Sequence, residues 1–207
     1  MLLTYYIFKI KYTYRIVEVL LYMRIISGTA RGTKLYTLDG MNTRPTLDRV
    51  KEPLFNIINF NLEDAVVLDL FAGSGALGLE AISRGARKAF FCEKNREASV
   101  VVEKNIEKTK FNDKAILIKA DFEKAIMQIQ KQKEKIDVVF IDPPYKTDFV
   151  KRSIDALLCS EILNDDFIII VETDEPNRIL DDIKNIDINV YDTRKYGRVS
   201  LLFLKRN

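Results

Sequence analysis

The chain has 207 residues, 47% of them hydrophobic, which is enough for one large α/β domain and excludes a disordered chain. It contains no histidine, which excludes Ser-His-Asp and Cys-His nucleophilic sites and leaves no imidazole for a zinc site, so we expect no bound metal. The net charge of +3 is uneven, because residues 1–60 hold nine Lys or Arg and four Asp or Glu and the rest of the chain carries −2. This basic front favours a polyanionic partner, although a solvated lysine-rich surface fits the same charge.

Residues 1–22 form an apolar, tyrosine-rich stretch that fits neither a membrane span nor a signal peptide. It lacks the small-residue cleavage site of a signal peptide, and four charged side chains interrupt it, namely Lys9, Lys11, Arg15 and Glu18. We expect Met23 to be the natural start and residues 1–22 to be an upstream extension or a poorly packed arm. The two cysteines, Cys92 and Cys159, lie far apart without a CxxC spacing, which favours a reduced, cytoplasmic setting.

Residues 23–62 form the rest of the basic front. The segment opens with a short extended stretch, has glycines at positions 28, 32 and 40, and continues into a helix predicted over residues 46–60. Pro53 lies inside the helical pattern. Because proline has no N–H to donate to the preceding turn, we expect the helix either to kink or to begin there.

From residue 65 onward, strand and helix patterns alternate. Buried apolar runs predict strands at 66–70, 88–92, 115–118, 138–141 and 167–171, and helical patterns cover 75–84, 97–110, 122–132 and 149–158. Two more runs, at 188–192 and 199–204, flank a glycine-containing turn at 193–197 and predict an antiparallel hairpin. The pattern therefore predicts a mostly parallel seven-stranded sheet, covered by helices on both faces and closed at one edge by the hairpin.

The fourth predicted strand ends in the sequence Asp142-Pro143-Pro144-Tyr145. The two prolines fix their own φ angles and restrict the residue before each of them, so the corner is stiff. It offers one carboxylate, carbonyl groups without competing N–H groups, and an aromatic ring. Such a corner can accept hydrogen bonds from an amine-bearing base and stack on its face, although a strand-terminating turn with a buried tyrosine is the simpler alternative.

A glycine-rich loop joins the first predicted strand to the first helix that follows it. Gly73, Gly75 and Gly78 give the spacing GxGxxG, which lets a ligand approach the helix N-terminus closely. Glu93 ends the next strand, where a carboxylate can accept hydrogen bonds from a ribose. No Gly-Lys-Ser/Thr follows the glycines, so the loop is not a P-loop.

Two ligands compete for this loop, a nicotinamide dinucleotide and S-adenosylmethionine. Asp69 lies four residues before the first glycine, where it would repel a pyrophosphate and attract a sulfonium or an ammonium group. It could also bond the loop's own N–H groups, a role that is compatible with either ligand. Asp121 ends the third strand and is either a partner for the adenine amine or the N-cap of the next helix.

Three motifs, in this order, resemble the RsmD family of class I methyltransferases. They are Arg24-Ile25-Ile26-Ser27-Gly28 with Arg44-Pro45-Thr46, the run Asp69-Leu70-Phe71-Ala72-Gly73-Ser74-Gly75, and Asp142-Pro143-Pro144-Tyr145. The similarity covers about residues 23–205. It implies a Rossmann-like fold, S-adenosylmethionine as cofactor, and methylation of the exocyclic N2 amine of a guanine in 16S ribosomal RNA. Pro53 and Tyr145 depart from the family pattern, and residues 1–22 are not part of it.

The resemblance divides the chain into residues 23–62, a segment that binds RNA, and residues 63–207, a catalytic domain that binds S-adenosylmethionine. It implies cofactor contacts at Asp69, Phe71, Gly73, Ser74, Gly75, Gly78, Glu93 and Asp121. The catalytic residues would be Asp142, Pro143, Pro144 and Tyr145, with the carboxylate and the Pro143 carbonyl holding the amine and the ring stacking on the base. RNA contacts would come from Arg24, Arg31, Lys34, Arg44, Arg49 and Lys51.

Other functions fit parts of the pattern. An adenine-N6 methyltransferase acting on DNA or RNA would use the same corner, because adenine also presents an amine. A nicotinamide-dependent oxidoreductase fits the glycine loop but not Asp69, and a non-catalytic RNA-binding module could keep the fold. We expect a cytoplasmic monomer that acts on 16S rRNA or on an assembling small ribosomal subunit, without a metal and without a membrane.

Overall fold

The structure, a computed structural model, describes residues 23–38, 46–144 and 148–207, with the backbone alone for residues 46–48. The predictions for residues 1–22, Arg44 and Tyr145 lie outside the described residues. Within those ranges, no helix is both long enough and apolar enough to cross a bilayer.

Seven strands form one sheet. Their order across the sheet is β3-β2-β1-β4-β5-β7-β6, and the first five are mutually parallel. β7 is antiparallel to both β5 and β6. The strands are β1 (Val66–Asp69), β2 (Lys88–Cys92), β3 (Ala115–Ile118), β4 (Ile136–Ile141), β5 (Leu163–Thr173), β6 (Asn189–Tyr196) and β7 (Val199–Lys205). This arrangement confirms the predicted parallel sheet with a C-terminal hairpin.

Six α-helices accompany the sheet in the described part of the chain. They are α1 (Thr46–Ile57), α2 (Ala76–Ser83), α3 (Arg96–Thr109), α4 (Phe122–Gln132), α5 (Phe149–Cys159) and α6 (Pro176–Ile183). Side chains alternate between the two faces of each strand. Because every residue of β1 and all but one residue of β4 are buried, both faces of these strands are buried. One core cluster contains Val67 and Phe140, and the other contains Leu68 and Val139. Helices or loops therefore cover both faces, as a parallel sheet requires.

The strand order reverses beside β1. From β1 the chain crosses to β2 and β3 on one side and then returns to β4 and β5 on the other. Connections on the two sides of such a switch point leave in opposite directions, which opens a crevice at the carboxyl ends of the strands. Asp69 is the last residue of β1, and Asp142 directly follows β4, so the topology brings the two predicted acids to the same crevice.

Residues 23–38 lie along α2. From here on, 'the arm' means these residues and not residues 1–22. The arm doubles back at a turn, with a bridge between Arg24 and Lys34 and a hydrogen bond from Ile25 N to Thr33 O at 3.0 Å. Its apolar side chains, Ile25 and Leu35, are buried in the core cluster that contains Phe140. These two side chains therefore anchor the arm to the core, while most of its other residues are half-buried or exposed.

Glu80 of α2 fixes the arm through a buried carboxylate. It accepts hydrogen bonds from Ile26 N at 2.7 Å, from Ser27 N at 3.0 Å and from Arg84 Nε at 2.8 Å. Lys51 Nζ of α1 lies 3.4 Å from the same carboxylate. Because four donors surround it, this fully buried charge is well compensated and ties the arm and α1 to α2.

Four local predictions differ from the structure by more than two residues. The 193–197 turn is wrong, because β6 continues to Tyr196 and only Gly197, at φ +66°, and Arg198 turn the chain. β5 begins at Leu163, earlier than predicted. The prediction placed its start too late because exposed polar residues interrupt the apolar pattern of its first half. α6 was not predicted, although Pro176 occupies its first turn, as proline often does. α1 passes through Pro53 and ends at Ile57, so the helix neither begins at the proline nor reaches residue 60.

Candidate functional site

A cavity of about 830 Å³ lies at the carboxyl ends of β1 and β4, at the switch point of the sheet. The glycine loop, the ends of β2 to β5 and the arm all contribute to its wall. It brings together most of the residues predicted to bind a cofactor and the first three residues of the proline corner. The lining residues from these two groups are Asp69, Phe71, Gly73, Ser74, Glu93, Asp121, Asp142, Pro143 and Pro144.

The glycine loop turns tightly from β1 into α2. Gly73 and Gly75 have φ angles of +56° and +80°, a region that side chains other than glycine rarely adopt. Gly75 N donates a hydrogen bond to Ala72 O at 2.7 Å, and Gly75 is the residue before the first turn of α2. Gly78 packs closely against Phe91, since a Cβ there would lie 2.4 Å from Phe91 Cε1, and its contact with a cofactor stays a prediction. The loop thus holds the N-terminus of α2 towards the cavity.

Asp69 is a buried carboxylate under this loop. Its Oδ2 accepts a hydrogen bond from Gly78 N at 3.3 Å, whereas its Oδ1 has no hydrogen-bond partner among the described residues. Burial raises the pKa of Asp69 to about 7, and the neighbouring charges of Asp142 and Glu93 add to the rise. A buried acceptor without a donor is costly, and a cationic ligand in the cavity would supply the missing partner. The residues therefore fit a positively charged cofactor better than a pyrophosphate.

Glu93 and Asp121 follow β2 and β3 and line the same cavity. Glu93 accepts hydrogen bonds from Gly73 N at 2.9 Å and from Asn95 N at 2.7 Å, so it holds the glycine loop in place. Asp121 is the N-cap of α4, where it accepts a hydrogen bond from Lys124 N at 2.9 Å that lowers its pKa. The capping alternative for Asp121 is thus observed. Contacts of either acid with a ribose or an adenine stay predictions.

Three aromatic rings form an apolar part of the cavity wall. Phe71, Phe122 and Phe149 lie with ring centroids 5.6 to 5.9 Å apart. The Arg152 guanidinium packs 5.6 Å from the centroids of two of these rings. Such a wall excludes water from one side of the cavity and suits a flat apolar group, as the predicted contact of Phe71 with a cofactor requires.

The proline corner places Asp142 beside a second acid, which the sequence analysis did not identify. β4 and β5 pair in parallel with Ile141 opposite Val171, so Asp142 and Glu172 follow at the same level on neighbouring strands. Both side chains line the cavity, and burial raises the pKa of each. Glu172 follows an apolar strand run just as Asp142 does, and that signal could have revealed it. No cluster of at least three metal-ligating side chains occurs within the described ranges.

Asn105 of α3 is a second residue that the sequence analysis missed. Its Oδ1 accepts from Tyr36 N at 2.7 Å, and its Nδ2 donates to Tyr36 O at 3.0 Å and to Ser74 O at 2.8 Å. The fully buried amide thereby joins the arm to the glycine loop. Ser74 also donates from Oγ to Met23 Sδ at 3.4 Å. An asparagine within a polar helix gives no sequence signal, because the same residue is usually solvated.

The residues predicted to contact RNA fall into two groups. Arg24, Arg31, Lys34 and Arg49 are exposed, with Arg31 in the turn of the arm next to the C-terminal end of α2. Lys51 is only 1% exposed, donates a hydrogen bond to Arg24 O and pairs with Glu80. The assignment of Lys51 as an RNA contact is therefore wrong. The sequence shows its charge but not that α1 turns this side chain into the core.

Comparisons with known proteins agree with this architecture. A family model described as conserved hypothetical protein 95 matches residues 23–205. Ribosomal RNA small subunit methyltransferase D of Haemophilus influenzae is 37% identical over 159 residues, which cover 76% of this chain and 82% of that protein. The protein of the same name from Escherichia coli is 37% identical over 155 residues, which cover 75% of this chain and 76% of that protein.

A solved structure supports the same relationship. The Escherichia coli protein yhhF superposes with a TM-score of 0.73 at 32% identity, over 90% of this chain and 98% of its own. The family match spans nearly all of the chain that the structure describes. The chain therefore belongs to the conserved hypothetical protein 95 family, the RsmD family that its three motifs resemble.

Proposed function

We propose that this protein uses S-adenosylmethionine to methylate the exocyclic N2 amine of a guanine in small-subunit ribosomal RNA. The observation that carries the proposal is that one cavity combines an orphaned buried carboxylate oxygen of Asp69 with the acceptor corner at Asp142. The first suits a cationic methyl donor and the second suits an amine. Relatives 37% identical to the chain are named as small-subunit rRNA methyltransferases.

The cofactor side of the cavity would bind S-adenosylmethionine through charge and shape. Asp69 Oδ1 would accept from a cationic group, Glu93 and Asp121 would meet hydroxyl and amine groups, and Phe71 would pack against the flat base. The glycine loop allows close approach, because its backbone carries no side chain at Gly73 or Gly75. S-adenosylmethionine supplies a methyl group that is already activated by its sulfonium, so the protein needs no nucleophile of its own.

The acceptor corner would position and activate the amine. A guanine amine is a weak nucleophile, because its lone pair is delocalised into the ring. Hydrogen bonds from its N–H groups to the Asp142 carboxylate and the Pro143 carbonyl would hold it and favour a pyramidal nitrogen. Burial raises the pKa of Asp142, which makes it a better acceptor for the proton that the methylated amine releases. Stacking by Tyr145 belongs to the same proposal.

Substitution of Asp142 tests this assignment. Purified protein, tritiated S-adenosylmethionine and small ribosomal subunits should give methylated guanine after nuclease digestion and chromatography. Asp142→Asn should lower the methylation rate by at least about 100-fold, because it removes the charged acceptor, while cofactor affinity stays within about threefold. Asp166→Asn, an exposed acid early in β5, is the control. Methylated adenine in the digest, or loss of cofactor binding in Asp142→Asn, would contradict the assignment.

The proposal includes a cytoplasmic monomer that needs no metal. The described chain shows one complete sheet and one cavity wall built from its own elements, which is compatible with a working monomer. Light scattering during size-exclusion chromatography measures the oligomeric state. Methylation assays with naked 16S rRNA and with assembling particles identify the substrate form.

A further inference from the structure

Glu172 is an acid in the cavity wall that the proposed reaction does not use. It lies near the carboxyl end of β5, beside Asp142 at the end of β4, because Ile141 and Val171 are register partners one residue earlier. Neighbouring strands lie about 5 Å apart, so the two side chains leave the sheet close together. Asp142 comes two residues after Phe140, and Glu172 comes two residues after Ile170. Phe140 and Ile170 belong to the same core cluster. The alternation of a strand therefore places both acids on one face of the sheet.

The environment of this pair indicates a ligand with hydrogen-bond donors. Burial raises the pKa of Glu172, and the charge of Asp142 raises it further, with no offsetting hydrogen bond from the described part of the chain. Two adjacent acids in a partly buried site destabilise each other unless donors lie between them. On its other side Glu172 pairs with Leu201 of β7, an apolar residue that offers no side-chain donor.

Guanine carries two kinds of donor side by side on one edge, the N1–H group and the N2 amine. Adenine instead has a bare N1, an acceptor, beside its N6 amine. Proteins that extract a base from RNA read it by hydrogen bonds to this edge. We propose that Glu172 accepts a hydrogen bond from N1–H of the guanine whose N2 amine Asp142 holds, and that Glu172 thereby selects guanine. This inference rests on the proposed function.

The selectivity follows from what an incorrect base would present. Once Glu172 is ionised, above the pKa of about 8 to which burial raises it, the bare N1 of adenine would face its carboxylate oxygens, and acceptor would meet acceptor. A base that lacks the N1–H group but keeps the N2 amine would lose the same bond. 2-Aminopurine is such a base, because it keeps the amine that receives the methyl group and has an unprotonated N1. It therefore separates recognition at Glu172 from the reaction at Asp142.

The test compares guanine and 2-aminopurine as competing substrates above about pH 8, where Glu172 is ionised. The two bases are placed at the mapped methylation position in the rRNA or particle that the wild-type protein methylates. Wild-type protein should prefer guanine by at least about tenfold in kcat/KM, because one hydrogen bond to a charged group is lost with 2-aminopurine. In Glu172→Gln the preference should fall to within about threefold, because an amide can accept from N1–H or donate to a bare N1. Glu172→Ala should also lose the preference, with lower rates on both bases.

Controls separate this inference from the proposed function. Asp174→Asn, which removes an exposed acid two residues further along, should keep the wild-type preference. A preference in Glu172→Gln that stays within twofold of wild type would overturn the role of Glu172 while leaving guanine methylation intact. Failure of wild-type protein to methylate any guanine would overturn the proposed function and this inference together. Glu172→Gln is nearly isosteric, and its cofactor affinity and thermal midpoint report whether it is folded.

Discussion

Two buried carboxylates in this protein have opposite environments. Glu80 is surrounded by donors from the arm, α1 and α2, and both its oxygens have partners. Asp69 lines the cavity and accepts a backbone hydrogen bond from Gly78 N on Oδ2, whereas its buried Oδ1 has no hydrogen-bond partner in the described chain. The fold itself supplies the donors for Glu80, whereas a buried acid with a strongly raised pKa beside a cavity is a candidate for ligand binding. We therefore treat Glu80 as structural and propose that Asp69 is functional.

Lys51 should behave as a structural residue. Lys51→Ala removes one donor from the buried Glu80 carboxylate and one from the Arg24 carbonyl, so we expect a loss of about 3 kcal/mol in the free energy of unfolding. Urea denaturation measures this loss. Arg49→Ala, an exposed change in the same helix, should stay within about 0.5 kcal/mol of wild type. If Lys51→Ala weakens RNA binding without loss of stability, the structural role is wrong.

Asp69 should make the stability depend on pH. The folded protein keeps the Asp69 proton up to about pH 7, whereas the unfolded chain releases it near the ordinary value of 3.8. Between these values the unfolded state binds fewer protons, so the contribution of Asp69 to stability falls as the pH rises from 4 to 7. Asp69→Asn should lack this loss, and its free energy of unfolding relative to wild type should rise by about 3 kcal/mol over that window. Equal pH profiles for the two proteins would contradict this result.

Binding of a cationic ligand should lower the pKa of Asp69, because the ligand's charge favours the ionised carboxylate. S-adenosylhomocysteine keeps the ammonium group of the cofactor but lacks the sulfonium. Its affinity for wild-type protein should fall below pH 7, by up to about tenfold per pH unit, because binding then requires release of the Asp69 proton. Titration calorimetry of wild type and Asp69→Asn measures the difference. Asp142 and Glu172 also have raised pKa values and are present in both proteins. The difference between the two affinity profiles therefore reports Asp69.

Single elements of the fold depend on close backbone contacts. The turn of the arm packs against the last residue of α2, where Thr29 N donates to Ser83 O at 2.8 Å. A Cβ at Gly28 would lie 1.7 Å from that same oxygen. The other end of the arm contacts the glycine loop through Asn105 and Ser74. α2 thus connects the turn of the arm to the cavity. Its eight residues span about 12 Å between the two ends.

Two glycines of the arm form a matched pair for testing this packing. Gly28 and Gly32 have φ angles of +80° and +84°, so alanine is strained equally at both positions. A Cβ at Gly32 meets nothing within 4 Å. Gly28→Ala should therefore be less stable than Gly32→Ala by about 2 kcal/mol, and protease should cut its arm faster. Equal stabilities would show that the arm is not packed against α2 in solution.

At the scale of the whole molecule, the arm and α1 cover the sheet face that carries the acids. Val67, Phe140 and Ile170 belong to one cluster with Ile25, Leu35 and residues of α1. The arm's last described residues, Thr37 and Leu38, line the cavity. The described parts of the basic front, residues 23–38 and α1, are therefore packed beside the site and share its core cluster.

Salt should distinguish RNA binding from cofactor binding. RNA affinity should fall steeply with salt, because phosphate contacts release counterions, while cofactor affinity should change little. Substituting both Arg31 and Arg49 by alanine should reduce the slope of log affinity against log salt by about 1.4, at about 0.7 per contact to single-stranded RNA. The control is the double substitution of Lys131 and Lys184, exposed residues at the ends of α4 and α6 remote from the cavity. Equal slopes in the two double variants would argue against the basic front.

Much of this protein could be predicted from short-range patterns. Apolar runs and glycine spacing locate five parallel strands, the loop between β1 and α2, and the acids at strand ends, because these features depend on neighbouring residues. The prediction of a turn at 193–197 was wrong because β6 is an edge strand, and an edge strand can carry polar residues throughout. α6 was missed because two isoleucines, Ile179 and Ile183, provide its buried face. Patterns that short do not separate a helix from a loop.

The amino-acid sequence alone determined the α/β order, the glycine loop and the acidic proline corner, because each is encoded in a continuous stretch. Only the tertiary structure decided which charges are buried and which acids meet. Lys51 enters the core through packing between α1 and α2, Asn105 contacts Tyr36, which lies 69 residues earlier, and Glu172 meets Asp142 through strand register. These contacts depend on side-chain direction and on the neighbours that the whole sheet brings together, and residue order does not specify either of them.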